Sequence, residues 1–379
     1  MSGIVFVTVV DLSIISGSGV ATREIIRGIV SVTDEPVIVL CPEPKEKLPE
    51  MLESQVDEFI YLPTRTNPGS PRWHLKTEFS ILRKLGRLYK NRVPSLVVTR
   101  LSPSTLFPAL FSTIFNIPHI LLIRGWVRRK DSREDTKFGS LVEQLVKMNV
   151  RLSDEVYVAF DELKEWVDPY RSNSKSPVKV LPNAVDPDIF SPQPLSSTRA
   201  KIGIDAEKFV VGFVGSLAPR HELKTLFRAA AKTDDVYLLI VGDGVRRNSL
   251  DQLAADLGID DRVTFTGQVD HEEVPKYISS FDVGYGVVSS DKASNPIKCY
   301  EYLSCERPVI TSQKEEFEFI SKIDAGVLVS TVSTKEVYEA IEYLRNQPRK
   351  ERLEMGKTGR SYVQEHFTWK RLANELIII

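Results

Sequence analysis

The sequence predicts two doubly wound α/β domains, each a parallel sheet with helices on both faces. The chain has 379 residues, of which 42% are hydrophobic, which suits two or three domains of roughly 100–200 residues. Short β-rich runs alternate with amphipathic segments, the pattern of a parallel sheet covered on both sides. The alternation stops at a proline-rich stretch between Pro177 and Pro194 and then restarts.

The first domain is expected to span residues 1–180. Its first strand is the apolar run from Ile4 to Val10, and a helix follows from about Val20. No basic residue precedes this run and Asp11 follows it closely, so it is not typical of a signal peptide. Other short apolar runs predict the remaining strands: Val37–Leu40, Leu96–Thr99, Ile120–Ile123 and Val156–Ala159.

The segment from Pro177 to Pro194, PVKVLPNAVDPDIFSPQP, contains five prolines. They indicate an extended connector, which we place at 181–198. The second domain is expected at 199–365. Its strands are predicted at 209–215, 236–242, 262–267 and 282–288. Ligands of doubly wound sheets bind at the carboxyl ends of the strands, so we expect a site in a cleft between the two domains.

Composition excludes several classes of protein. A net charge of -1 disfavours a general nucleic-acid binder, and no recognition motif for nucleic acid is present. The three cysteines (Cys41, Cys299 and Cys305) are far apart and lack metal-ligand spacing. They favour a reducing, cytoplasmic location and predict neither a disulfide framework nor a metal site.

Two glycines, Gly17 and Gly19, stand just before the first predicted helix. They would let a phosphate or sugar approach the backbone and the helix N-terminus, although a simple tight turn explains them equally well. The full GxGxxG pattern is absent because Thr22 replaces its last glycine, and no acidic residue ends the second strand at Leu40. A nicotinamide dinucleotide site is therefore disfavoured.

The second domain contains a more specific pattern. VGSLAPRHELKTL passes from a strand through Gly215 and Ser216 into a loop with Arg220, His221 and Lys224, which could hold a diphosphate. A second glycine follows the next strand at Gly242.

The segment SNPIKCYEYLSCERPVI predicts a helix that starts near Pro296. Glu301 lies one turn in, on the face expected to point inward. A buried carboxylate needs hydrogen-bond donors, and the hydroxyls of a ribose would supply them. The alternative is a surface glutamate on an ordinary amphipathic helix.

The chain resembles the retaining glycosyltransferases of family 4, which have the two-domain GT-B fold. LPNAVDPDIFSP is similar to their interdomain signature, and VGDGVRRNSLDQLAADLGIDDRVTFTGQV and VPKYISSFDVGY are similar to the strands around their nucleobase pocket. ERPVITS is similar to the strand after the active-site helix. HFTWKRLANEL, within 366–379, is similar to the closing helix that packs back on the first domain.

The resemblance implies transfer of a sugar from a nucleoside diphosphate sugar with retention at the anomeric carbon, without metal or other cofactor. Glu301 would hold the ribose, and the NPIK turn would present N–H groups to the diphosphate. The implied donor-nucleotide residues are Gly215, Ser216, Gly242, Gln268, Asn295, Pro296, Ile297, Lys298 and Glu301.

The chain departs from the family pattern at several positions. The usual Arg and Lys-Gly after the strand are Ser216, His221 and Glu222, so Arg220 and Lys224 are expected to supply the charge. The first of two family glutamates falls at Ala293, which leaves Asp291 or Ser294, together with Gly17 and Gly19, to meet the sugar and phosphate. Arg124 stands where the family has a histidine beside the reacting sugar. Arg124, Arg220 and Lys224 are therefore the catalytic candidates, stabilising the departing diphosphate.

Basic residues concentrate between Phe59 and Arg133, where fourteen Lys and Arg face two acidic residues, a net +12. Interleaved aromatic residues favour docking on an anionic membrane surface that presents a lipid-linked acceptor, against a merely solvated helix. A glycan acceptor is also compatible. The alternatives are a nucleoside diphosphate sugar epimerase, a non-catalytic nucleotide-sugar binder and a nucleotide-dependent oxidoreductase.

Overall fold

The structure, a computed structural model, describes residues 2–14, 16–63, 71–102, 105–125, 137–171, 175–289 and 295–378. The chain divides into two compact units. The first comprises Met1–Pro182 and Trp369–Ile379, and the second Asn183–Thr368. In the region where we expected a linker, 181–198, the chain passes into the second unit at Asn183, and a helix begins at Leu195.

The first unit is built on a seven-stranded parallel sheet in the order β3-β2-β1-β4-β5-β6-β7. Its strands are β1 (Ile4–Val7), β2 (Val37–Pro42), β3 (Glu58–Leu62), β4 (Leu96–Arg100), β5 (His119–Ile123), β6 (Glu155–Val158) and β7 (Lys179–Val180). Its helices are α1 (Gly17–Val32), α2 (Glu50–Gln55), α3 (Pro71–Asn91), α4 (Phe107–Phe115), α5 (Lys137–Leu152) and α6 (Asp161–Val167), with a 3-10 turn at Asp168–Tyr170.

Helix α1 starts three residues earlier than the sequence predicts. Ser16 adopts extended backbone and its side chain accepts a hydrogen bond from the Gly19 N–H at 3.0 Å. This N-cap draws Gly17 and Gly19 into the first turn of the helix, so the expectation that they precede it is wrong. Gly19 must stay small, because a Cβ there would lie 2.5 Å from the carbonyl oxygen of Ile14.

The second unit has a six-stranded parallel sheet in the order β10-β9-β8-β11-β12-β13. Its strands are β8 (Phe209–Val214), β9 (Val236–Val241), β10 (Val263–Gly267), β11 (Val283–Tyr285), β12 (Val309–Ser312) and β13 (Gly326–Val329). Its helices are α7 (Leu195–Lys201), α8 (Leu223–Ala230), α9 (Arg247–Asp256), α10 (Val274–Ser279), α11 (Ile297–Ser304), α12 (Glu318–Lys322), α13 (Thr334–Asn346) and α14 (Arg349–His366), with 3-10 turns at Pro219–His221, Asp260–Arg262 and Glu315–Phe317.

Strand β8 shows why this sheet needs helices on both faces. Val211 and Phe213 belong to one apolar cluster and Val210 to another, and all three are fully buried. Because successive side chains of a strand point to opposite faces, both faces carry core. The prediction of two doubly wound α/β domains is confirmed.

The chain returns to the first unit with helix α15 (Trp369–Ile377), which packs on α1. Gly28 allows this contact, since a Cβ there would lie 2.7 Å from the carbonyl oxygen of Trp369. Tyr157 adds a hydrogen bond from its hydroxyl to the Glu375 carbonyl at 3.1 Å.

Within the part of the chain that the structure describes, no helix is both long and apolar enough to cross a membrane.

Candidate functional site

The strand order of the second sheet reverses between β8 and β11, which are neighbours in the sheet although three strands apart in sequence. Open α/β sheets bind ligands at such a switch point, outside the carboxyl ends of the strands. Strand β8 ends there at Val214, and Gly215 follows with φ +132°. A Cβ on neighbouring Gly242 would lie 2.2 Å from the Gly215 carbonyl oxygen. Glycine at 242 therefore lets two strand ends meet closely.

Lys298, the second residue of α11, points into this edge. Its side-chain nitrogen lies 3.8 Å from the centre of the Phe213 ring and would be 3.0 Å from a Cβ on Gly215. The residue is only 8% exposed, and its Nζ has no hydrogen-bond partner among the described residues. The ring face is electron-rich and attracts a cation, but it is no substitute for a counter-ion.

Burial controls the electrostatics of this cluster. It lowers the pKa of Lys298 to about 7, with the charge of Arg220 acting in the same direction and that of Glu301 against it. Buried His221 packs against Phe213 with ring centres 5.4 Å apart. Burial, Lys298 and Arg220 together lower the pKa of His221 to about 2, so that its imidazole stays neutral.

Helix α11 begins at Ile297, directly after Pro296. Asn295 holds the chain just before the helix. Its backbone carbonyl accepts a hydrogen bond from the Asn183 side chain, and its side-chain amide donates to the Tyr300 hydroxyl at 3.0 Å. The first N–H groups of a helix have no partner within it and can bind an anion. Glu301, 8% exposed, is buried one turn further along the same helix, as the inward-facing prediction requires.

Other candidates lie around this edge without joining the buried cluster. Ser216 and Gln268 are exposed just after β8 and β10, and Arg220 is exposed in the 3-10 turn, where its carbonyl accepts from the Ser289 N–H at 2.9 Å. Lys224 is exposed on α8. The structure thus places the proposed basic loop at the surface and turns His221 inward.

In the first unit, Arg124 follows β5 and its guanidinium donates to the carbonyls of Leu181 and, at 3.3 Å, Pro182. Arg124 therefore binds the backbone at Leu181 and Pro182, where the first of the two segments that form this unit ends. Its predicted role at the leaving group stays a prediction. Asp291, Ala293 and Ser294 lie outside the described residues. So does part of the basic, aromatic-containing segment between Phe59 and Arg133, including Trp126, Arg128, Arg129 and Lys130.

Sequence reasoning missed Arg100, which lies beside the switch point of the first sheet. It is the last residue of β4, next to β1. Its guanidinium donates to the Ser18 carbonyl and hydroxyl, each at 2.7 Å, and to the Thr22 hydroxyl. Buried Arg23 holds the preceding loop through the carbonyls of Leu12 and Ile14. A charged residue ending a buried strand was the available signal for Arg100.

Phe213 and Tyr302 were also missed. Phe213 supports the Lys298 ammonium, and the Tyr302 hydroxyl accepts from the Val214 N–H at 2.8 Å, fixing the end of β8 against α11. Both appear in the sequence as ordinary core aromatics, and no pattern distinguishes them.

Residues 196–362, most of the second unit, match the family model described as glycosyl transferases group 1. The second unit is therefore similar to group 1 glycosyltransferase domains. The chain is 32% identical over 171 residues to a D-inositol 3-phosphate glycosyltransferase of Mycobacteroides abscessus, covering 43% of this chain and 38% of that protein. It is 30% identical over 178 residues to the lipopolysaccharide core biosynthesis glycosyltransferase LpsD of Rhizobium meliloti, covering 46% and 50%. The matches thus span half or less of these two relatives.

Solved structures resemble the whole chain. Sucrose-phosphate synthase from Thermosynechococcus elongatus has a TM-score of 0.78 at 20% identity, covering 99% of this chain and 97% of that one. Anabaena HepE, in complex with UDP and glucose, has a TM-score of 0.78 at 16% identity, covering 99% and 98%. These likenesses show the fold, and the predicted GT-B architecture is confirmed.

Proposed function

We propose that this protein transfers a sugar from a nucleoside diphosphate sugar to an acceptor hydroxyl. The observation that carries the proposal is the buried Glu301 on a helix that starts at the switch point of the unit that matches the group 1 family model. A carboxylate there can accept hydrogen bonds from a ribose, while the helix N-terminus receives the diphosphate. Because the neighbour HepE was solved with UDP and glucose, UDP is the first nucleotide to test.

Calorimetric titration with UDP, GDP and ADP tests donor binding. Glu301→Gln keeps the shape of the side chain but removes its charge, and should weaken binding of the preferred nucleotide by about 1.5–3 kcal/mol. Glu339→Gln, on the exposed face of α13, is the matched control and should bind like the wild type. Equal affinities for all three proteins would contradict the ribose assignment.

The reaction itself is proposed to proceed with retention and without a metal ion. The leaving diphosphate would be stabilised by the start of α11 and by cationic side chains, with Arg220, Lys224 and Arg124 as the candidates. Incubation of donor and acceptor with a chelator should still yield product, whose anomeric configuration is read by NMR. Conversion of the donor sugar without acceptor would indicate an epimerase instead, and donor binding without turnover a non-catalytic relative.

The acceptor is proposed to be lipid-linked and reached at the cytoplasmic membrane surface. Helix α3 carries Leu75 and Phe79, each 62% exposed, and exposed Leu82. Their spacing puts them on one helical face. An adjoining stripe of the same helix carries exposed basic residues, namely Arg72, Lys76, Arg83, Arg87 and Lys90.

This pair of stripes has the composition of a helix that lies in a membrane interface. Ile114 on α4, which packs beside α3, is also exposed. The stripe therefore gives the +12 segment an apolar component as well as charge.

Liposome cosedimentation tests the surface. Binding should require anionic lipid, weaken with salt without vanishing, and fall when Leu75 and Phe79 are replaced by Ser. Replacement of Lys335 and Glu339, exposed on α13, should leave it unchanged. Equal binding to neutral and anionic vesicles at low salt would exclude an electrostatic membrane site and favour a soluble glycan acceptor.

A further inference from the structure

Lys298 occupies an unusual position for an ammonium group. It is 8% exposed, and its Nζ has no hydrogen-bond partner in the described part of the chain. A buried lysine normally pairs with a carboxylate or is replaced by an apolar residue, because removal of an ammonium from water is costly. At this position the lysine is retained, and no carboxylate of the described residues hydrogen-bonds to its Nζ.

The ammonium lies against Gly215 and Phe213. Gly215 has no side chain, and a Cβ there would be only 3.0 Å from the Lys298 nitrogen. Phe213 closes one side, with its ring centre at 3.8 Å. The same edge of the sheet carries the start of α11, whose N–H groups favour negative charge.

We propose that the Lys298 ammonium is the cation that binds the diphosphate of the donor, and that the side chain takes up a proton when the diphosphate binds. This inference rests on the proposed function and deepens it. It moves the principal positive charge from the exposed residues Arg220 and Lys224 to a buried residue of α11.

The neighbouring groups make Lys298 the proton acceptor of the cluster. Burial holds its pKa at about 7, so the free protein near neutral pH contains a mixture of amine and ammonium. His221 faces it from the 3-10 turn and stays neutral, since its pKa is lowered to about 2. On α11, the pKa of the Cys299 thiol is raised to about 12 by burial. Among the described residues, the fixed charges that act on Lys298 are Arg220, which disfavours its ammonium form, and Glu301, which favours it.

An arriving diphosphate adds negative charge beside the amine and raises its pKa, so binding at pH 7.5 must be accompanied by proton uptake. Calorimetry of UDP binding in buffers of different ionisation enthalpy counts these protons. The β-phosphate of UDP itself titrates near pH 6, at about the second pKa of a phosphate ester. The readout is therefore the difference between the wild type and Lys298→Met, with uridine as the ligand that lacks phosphate.

The wild type should take up a sizeable fraction of a proton with UDP at pH 7.5 and less at pH 6. Lys298→Met should take up less, bind UDP at least about tenfold more weakly and bind uridine as the wild type does. Lys335→Met, exposed on α13, is the matched control. At pH 8.5 the β-phosphate of UDP is already ionised, so the proton count of the wild type at that pH needs no variant, and the test survives a variant that does not fold.

Two results would overturn the inference and are distinguishable from each other. If UDP, GDP or ADP binds but wild-type binding takes up no proton between pH 6.5 and 8.5, or Lys298→Met binds the nucleotide normally, Lys298 is not the diphosphate cation and the proposed function stands. If none of the three nucleotides binds to the wild type, the proposed function fails and the inference with it.

Discussion

Replacement of Lys298 by Met should stabilise the second unit. In the unfolded chain the lysine has a pKa near 10.5, and in the folded chain burial lowers it to about 7. Between these values the unfolded chain holds more protons than the folded one, so stability rises with pH across this window. At about 1.36 kcal/mol per pKa unit, the penalty near pH 7 is on the order of 4 kcal/mol.

The variant removes this penalty and its pH dependence. Met fills a similar volume, and its sulfur can rest on the Phe213 ring. We therefore expect a gain of up to about 4 kcal/mol at pH 7 that shrinks to about 1 kcal/mol at pH 10, where the wild-type amine is already neutral. Lys335→Met should change stability by less than about 0.5 kcal/mol.

Urea unfolding can separate the two units. The four tryptophans are Trp73, Trp126, Trp166 and Trp369, and all belong to the first unit. Tryptophan fluorescence therefore follows the first unit, while far-ultraviolet circular dichroism follows both. The gain must appear only in the dichroism transition. A loss of stability at pH 7, or a gain equally large at pH 10, would refute a buried lysine of lowered pKa.

Two further predictions concern the first unit. Gly28→Ala should destabilise it by about 1–3 kcal/mol, because the new Cβ would lie 2.7 Å from the Trp369 carbonyl oxygen. Gly86→Ala in α3, where nothing lies within 4 Å of the new Cβ, should instead be neutral or stabilising by up to about 1 kcal/mol, and fluorescence-detected unfolding measures both. Burial lowers the pKa of His119 to about 3. The first unit should therefore lose stability as the pH falls from 6.5 toward 3, because in this range His119 is protonated only in the unfolded chain. His119→Gln should flatten that slope, and an unchanged slope would assign it to other groups.

The alternation of strands and helices could be predicted because a parallel sheet buried on both faces needs continuous apolar runs. Strand β3 was missed for the opposite reason. It is an edge strand, and Glu58, Phe59 and Ile60 are not fully buried, so its sequence lacks such a run. Strand β1 ends at Val7, three residues before the apolar run does, because pairing with β2 and β4 stops there.

The site residues also differ in whether their burial could be predicted from the local sequence. The burial of Glu301 follows from helical spacing after Pro296, which is local information. The burial of Lys298 depends on Phe213, eighty-five positions earlier in the chain, and on Gly215, where a Cβ would lie 3.0 Å from the Lys298 nitrogen. Only the fold brings these together. Local charge pointed to Arg220 and Lys224, which the structure leaves exposed.

Replacement of Lys298 by Met should raise the stability of the free protein and lower its affinity for UDP. The unfolding and binding experiments therefore test the same side chain through two opposite effects. A lysine kept only for packing would be replaceable by Met with no loss of any ligand, since the end of its side chain already lies over an aromatic ring. A lysine kept for an anion must lower the stability of the free protein, because the charge that it needs in the complex is unpaired before binding. The same variant should therefore unfold at higher urea and bind UDP more weakly.

If the variant is more stable and binds UDP normally, the buried amine has no ligand at this edge of the sheet. If it is less stable and binds UDP weakly, the lysine supports the fold, and its effect on binding is indirect.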